Sequence, residues 1–156
     1  MSCDRKNVCK KILIVLIFVT LGFIFIQSTV PPRKSVAESD KVGEMVGSVI
    51  SPDTPFGSFI QDNIRKIAHF LEFFILGTEV SLFVSLFHSQ KMWFTSSYVF
   101  AFFVGFFDET IQIFSKRGHS IADVWLDFFG FAAAASLVYL AFYLRRKIKS
   151  EKKWLK

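Results

Sequence analysis

The stretch FFDETIQIFSKRGHSIADVWLDFFG, residues 106–130, places four acidic side chains between runs of phenylalanine. Acidic groups are costly beside such apolar surface unless other groups hold them. Long apolar blocks with polar turns recur along the whole chain, which is 52% hydrophobic and contains 21 Phe. Apolar residues that gather in blocks, instead of alternating with polar residues at helical spacing, are typical of membrane proteins. We therefore expect an all-α integral membrane protein.

Four apolar blocks predict a bundle of four transmembrane helices. The first, residues 12–30, carries no charge. A span requires about 20 residues, and the other three blocks are that long only when their polar outer turns are included. We therefore place those charged turns on helices, near one membrane interface. The predicted segments are a basic N-terminus (1–11), the first span (12–30), an outer loop (31–63), a domain of three spans (64–144) and a basic tail (145–156).

The basic residues at the two ends predict the orientation. Four of them precede the first span and seven follow the last. By the positive-inside rule both termini are predicted to be cytoplasmic, as an even number of spans requires. The net charge of +6 then reflects topology and contact with anionic membrane lipids. Nucleic-acid binding is not expected, because neither tail carries a folded nucleic-acid-binding domain or a module that stacks on bases.

Two further features concern the first span and the outer loop. A cleaved signal peptide is the alternative interpretation of the first span. An uncleaved anchor is favoured, because Pro31 and Pro32 separate the apolar run from the small-residue site at 35–37. A short interfacial helix is predicted around residues 40–50, where several apolar side chains share one face.

Three of the predicted spans bring polar side chains to the same end of the bundle. On the second span, Arg65, His69 and Glu72 lie at i, i+4 and i+7 and form one stripe. The end of the third span and the start of the fourth carry the acids of the opening stretch. We call this set the polar cup; it comprises Arg65, Lys66, His69, Glu72, Asp108, Glu109, Gln112, Arg117, Asp123 and Asp127.

Two interpretations of the polar cup are open. Because an intramembrane charge costs about 2.5–3.5 kcal/mol on insertion scales, the acids are expected to face inward toward Arg65, Lys66, Arg117 and the histidines. They would then form either a structural cluster of ion pairs or a functional site. A functional site is favoured, since small residues and amides hold membrane helices together at less cost. No metal or other cofactor is expected, because only His69 and Glu72 clearly share one helix face.

Glu79 lies on the same stripe as Glu72, two turns deeper. The favoured interpretation is a protonated side chain that hydrogen-bonds to Thr95, Ser96 or Ser97. A proton relay is the alternative. Transport through Glu79 and the outer acids finds little support, because the spans lack the broken, paired segments of transporters.

The segments RKIAHFLEFFILG (65–77) and DETIQIFSKRGHSIADVWLDFFG (108–130) resemble the VanZ-like family of small bacterial membrane proteins. The shared pattern is a lysine and a histidine on one helix, then Asp-Glu with a glutamine three residues later, an arginine, an aspartate and a glycine. The resemblance covers roughly the second to the fourth span. Asp127 stands where many relatives have asparagine, and Ser115-Lys116 where many have Pro-Gly.

The resemblance implies a multi-pass protein of the bacterial cell membrane, associated with glycopeptide resistance, mainly to teicoplanin, in Gram-positive bacteria. It supplies no biochemical mechanism. The first interpretation is a non-enzymatic protein whose outward-facing polar cup recognises a lipid, a lipid-linked wall precursor or the lipoglycopeptide. Arg65, Lys66 and Arg117 would meet its phosphate or carboxylate. The alternative is a membrane enzyme that acts on lipid-linked phosphate by acid–base or metal-assisted chemistry.

Overall fold

The computed structural model describes residues 3–29, 41–48, 50–51, 53–87, 90–114 and 121–154, and all of its regular elements are helices. Four of them are long and apolar enough to cross a membrane, which confirms the predicted all-α bundle of four spans. The cytoplasmic location of both termini stays a prediction. The helices are α1 (Cys3–Thr29), α2 (residues 41–47), α3 (Pro55–Ser85), α4 (Gln90–Phe114) and α5 (Ile121–Trp154).

The helices extend beyond the predicted spans. α1 begins within the basic N-terminus, and α5 continues through the basic tail to Trp154. α3 begins at Pro55, well before the predicted Ile64, so residues 55–63, which were predicted as part of the outer loop, are helical. The early start has a local cause. The Thr54 hydroxyl accepts a hydrogen bond from the Gly57 backbone N–H at 3.0 Å, and proline suits the first helical turn.

α1 packs against α3 and α4 through one face. Ile24 and Ser28 on that face are fully buried, whereas Phe18 on another face is 70% exposed and suited to lipid contact. The Lys10 ammonium lies 3.9 Å from the centre of the Phe87 ring, which joins the start of α1 to the end of α3. α1 is therefore a full member of the bundle and runs antiparallel to α3.

Glu79 is met by α1. Thr20 Oγ1 donates a hydrogen bond to Glu79 Oε1 at 3.1 Å. The sequence had suggested a partner among the hydroxyls at positions 95–97 of the third span, but α1 supplies the donor instead. The sequence offered no way to choose between α1 and α4, because the choice depends on how the helices are rotated about their axes.

Two glycines let α3 and α5 cross closely. A Cβ atom added at Gly77 would lie 2.7 Å from the Phe131 carbonyl oxygen, and one at Gly130 would lie 2.5 Å from the Phe70 carbonyl oxygen. Small residues allow such backbone approach between membrane helices. His69 immediately precedes Phe70 and Asp127 lies one turn before Gly130, so the crossing brings these two polar residues together.

Candidate functional site

The buried centre of the polar end is Asp108 of α4, whose side chain is fully buried. Ser28 of α1 donates a hydrogen bond through Oγ to Asp108 Oδ1. Gln112, one turn further along α4, donates through Nε2 to Asp108 Oδ2 at 2.7 Å. Because donors on two helices hold both oxygens, the orientation of this carboxylate is well defined.

Asp127 of α5 is also buried, with 1% of its surface exposed, and it faces His69 of α3. His69 Nδ1 lies 3.7 Å from Asp127 Oδ1, which is longer than a hydrogen bond. Neither carboxylate oxygen of Asp127 has a hydrogen-bond partner among the residues that the structure describes. We call His69, Asp108 and Asp127 the buried cluster.

A pocket of about 190 Å³ adjoins the buried cluster between α3 and α5. His69 belongs to both, so a molecule in the pocket would reach the edge of the cluster. The pocket walls carry two cations and two acids. We call it the charged pocket; it is lined by Asp62, Arg65, Lys66, His69, Asp123 and Leu126.

The residues of the predicted polar cup fall into two layers. Arg65, Lys66, His69 and Asp123 line the charged pocket. The second layer is buried among the helices; it comprises Asp108, Glu109, Gln112 and Asp127. Glu72 is partly buried on α3. Arg117 lies outside the described residues.

The ion pairs expected for the buried acids are found in part. Arg65, Lys66, Arg117 and the histidines were expected to pair with them. Within the described part of the chain, His69 pairs with Asp127 as expected, whereas neither Arg65 nor Lys66 lies within 4.0 Å of a carboxylate. The reason is depth. Arg65 and Lys66 stand on the turn of α3 that precedes His69, beside the pocket, whereas the carboxylates point into the bundle.

Three residues of the site were missed in the sequence: Ser28, Asp62 and Leu126. Ser28 shares a face of α1 with Thr20 and Ile24, at four-residue spacing, so two hydroxyls on one face of an apolar helix were the available signal. Asp62 had been assigned to the outer loop. On the longer α3 it lies three residues before Arg65, on the same stripe.

The family model described as VanZ/LLP1 matches residues 12–143, which include the first span as well as the three spans that carry the motif. The resemblance predicted from the polar motif is thus confirmed. No curated protein and no solved structure gives a significant match.

Proposed function

Since the chain belongs to the VanZ/LLP1 family, we propose that it contributes to glycopeptide resistance, of the teicoplanin type, by binding an anionic ligand in the charged pocket. The ligand would present a phosphate or a carboxylate at the membrane surface. It would come from a lipid, a lipid-linked wall precursor or the antibiotic. The observation that carries the proposal is that Arg65 and Lys66 line one pocket and neither has a carboxylate within 4.0 Å among the described residues.

The two cations suit this ligand for different reasons. A guanidinium offers a planar fork of donors that matches a phosphate or a carboxylate, and an ammonium adds a compact charge. Asp62 and Asp123 line the same pocket and balance that charge while no ligand is bound. The pocket would therefore hold its cations ready without a net positive charge.

The size of the pocket limits what enters it. Its volume of about 190 Å³ is below the roughly 300–1,000 Å³ of sites for drug-sized molecules. It accommodates one phosphate or carboxylate with the neighbouring atoms, and the rest of the ligand would lie along the bundle or above the membrane. With both termini cytoplasmic, the pocket opens toward the outer leaflet and the cell wall of a Gram-positive bacterium.

A membrane enzyme that acts on lipid-linked phosphate is the second candidate. The observation that favours it is the position of His69, which lines the pocket and lies 3.7 Å from Asp127. A phosphate bound by the two cations would then meet a histidine backed by a carboxylate, an arrangement used in acid–base catalysis. The test is release of inorganic phosphate from a lipid phosphate by the purified protein. Release by wild type that is lost in His69→Gln would favour the enzyme over a protein that only binds its ligand.

The resistance proposal is tested in a susceptible Gram-positive host. Teicoplanin and vancomycin susceptibility is measured for cells that express wild type, Arg65→Gln or Lys66→Gln, with membrane levels matched through a tag. The matched controls are Arg145→Gln and Lys147→Gln, which remove the same charges from exposed positions of α5. We expect wild type and the controls to protect against teicoplanin, and the two pocket variants to return cells to the susceptibility of the empty host.

Two results would contradict the proposal. Equal protection by pocket variants and controls would show that the pocket cations are not needed. No protection by wild type at the same membrane level would show that this chain has no resistance function in that host.

A further inference from the structure

The buried cluster has the composition and spacing of a metal site. His69, Asp108 and Asp127 each offer one ligand atom, and these atoms all lie within 4.8 Å of one another. They come from three different helices, so they surround a common point. We propose that this cluster binds one divalent transition-metal ion of the Zn²⁺ class.

Asp127 supplies a separate reason. Its carboxylate is 99% buried, since only 1% of its surface is exposed, and both oxygens lack a hydrogen-bond partner in the described part of the chain. Buried carboxylates are normally hydrogen-bonded, paired or bound to a metal, and the contact of Asp127 with His69 at 3.7 Å is an ion pair only when the histidine is protonated. A cation between Asp127, Asp108 and His69 would satisfy the oxygen that points toward the histidine.

The surroundings of Asp108 match those of a metal ligand. Ser28 and Gln112 each donate a hydrogen bond to one of its oxygens, and a carboxylate oxygen can accept more than one partner. Metal-binding carboxylates are commonly oriented by such donors, and loss of a donor weakens metal binding. Asp108 is therefore positioned before any ion arrives.

The ligand set and the spacing indicate which ion fits. Imidazole favours transition metals over Mg²⁺ and Ca²⁺, and three protein ligands leave one position for water or a ligand oxygen. Tetrahedral Zn²⁺ with bonds of about 2.0–2.1 Å needs ligand atoms about 3.3 Å apart. His69 Nδ1 and Asp127 Oδ1, at 3.7 Å, are close to that separation. Since His69 lines the charged pocket, the open position would face the pocket.

The sequence predicted no metal, because only His69 and Glu72 share one helix face. That expectation considered only ligands that share one helix. The ligands come from α3, α4 and α5 and meet only after the helices pack, so spacing within one helix could not reveal them.

The test is direct metal binding by the full-length protein, purified in detergent without a polyhistidine tag and stripped with a chelator. Zn²⁺ is titrated by calorimetry, and Co²⁺ is added in its place to record the visible spectrum of the bound ion. We expect one equivalent of Zn²⁺ to bind, and bound Co²⁺ to give the intense visible spectrum of an ion with a low coordination number. Asp127→Asn should weaken Zn²⁺ binding by more than the roughly 10–100-fold that loss of an outer donor causes, and Ser28→Ala by an amount within that range.

Matched controls separate this site from adventitious binding. Asp53→Asn removes an exposed acid that belongs neither to the buried cluster nor to the charged pocket, and Cys9→Ser removes a free thiol near the other end of the bundle. Both should keep one tight equivalent. Folding of every variant is checked by helical circular dichroism, and wild type should also unfold at a higher temperature with excess Zn²⁺.

The proposal fails if folded wild type binds no stoichiometric Zn²⁺ and gains no thermal stability from it. It also fails if folded Asp127→Asn binds Zn²⁺ as tightly as wild type. Since the measurement uses purified protein, it is independent of the resistance phenotype, and either proposal can fail without the other.

Discussion

Replacing Gly130 with alanine tests whether the close crossing of α3 and α5 holds the buried cluster together. The added Cβ would lie 2.5 Å from the Phe70 carbonyl oxygen. Because unstrained heavy atoms approach to about 3.5 Å, the helices must separate by roughly 1 Å at this point. The clashing oxygen belongs to the backbone, so no change of rotamer relieves the contact. Overpacking of this kind typically lowers the free energy of unfolding by about 1–3 kcal/mol.

The separation should also damage the site. Gly130 lies one turn after Asp127, and Phe70 directly follows His69. Moving the helices apart therefore lengthens the 3.7 Å between His69 Nδ1 and Asp127 Oδ1. We expect Gly130→Ala to lose stability and Zn²⁺ affinity together.

The assay is reversible unfolding by SDS in mixed micelles, followed by circular dichroism. Gly22→Ala is the matched control, since a Cβ there meets no atom within 4 Å. Its free energy of unfolding should stay within about 0.5 kcal/mol of wild type. Equal unfolding midpoints for Gly130→Ala and Gly22→Ala would refute the inferred close crossing.

Two further predictions concern the α1 contact and the orientation. Ser28→Ala removes a buried donor to Asp108 and should lower the free energy of unfolding in the same SDS assay by about 1–3 kcal/mol; an unchanged midpoint would mean that α1 does not hold this carboxylate. For orientation, the native cysteines are replaced and single cysteines are placed at the exposed positions Ser58 and Ser150. In intact cells, a membrane-impermeant maleimide should label the cysteine at position 58 and not the one at position 150. Labelling at position 150 alone would show that the topology is the opposite of the predicted one.

The four spans could be predicted from the sequence because the membrane imposes a strong local rule. A span must satisfy its own backbone hydrogen bonds and present about 20 apolar residues, so a long apolar run is sufficient evidence. Helix ends are less constrained. Basic residues continue α1 and α5 beyond the apolar runs, and the early start of α3 depends on the Thr54 cap.

The residues of the site were largely visible in the sequence, but their arrangement was not. Helical spacing placed Arg65 and His69 on one stripe and identified the acids near the ends of two other spans. It could not divide them into a pocket and a buried cluster, because depth and rotation are set by the crossing at Gly77 and Gly130. Nor could it add Ser28, whose role depends on which face of α1 meets α4.

Direct binding tests whether Arg65 and Lys66 form the proposed site for an anionic ligand. Purified protein in a neutral detergent is titrated separately with a polyprenyl pyrophosphate, an anionic phospholipid and teicoplanin, which distinguishes the three sources of the anion. We predict that at least one of these three ligands binds saturably to wild type and to the control Arg145→Gln/Lys147→Gln. The same ligand should bind at least about tenfold more weakly to Arg65→Gln/Lys66→Gln, because a hydrogen bond to a charged group contributes about 1.5–3 kcal/mol. Equal affinity for both double variants, or no saturable binding of any of the three, would show that Arg65 and Lys66 do not form an anion-binding site.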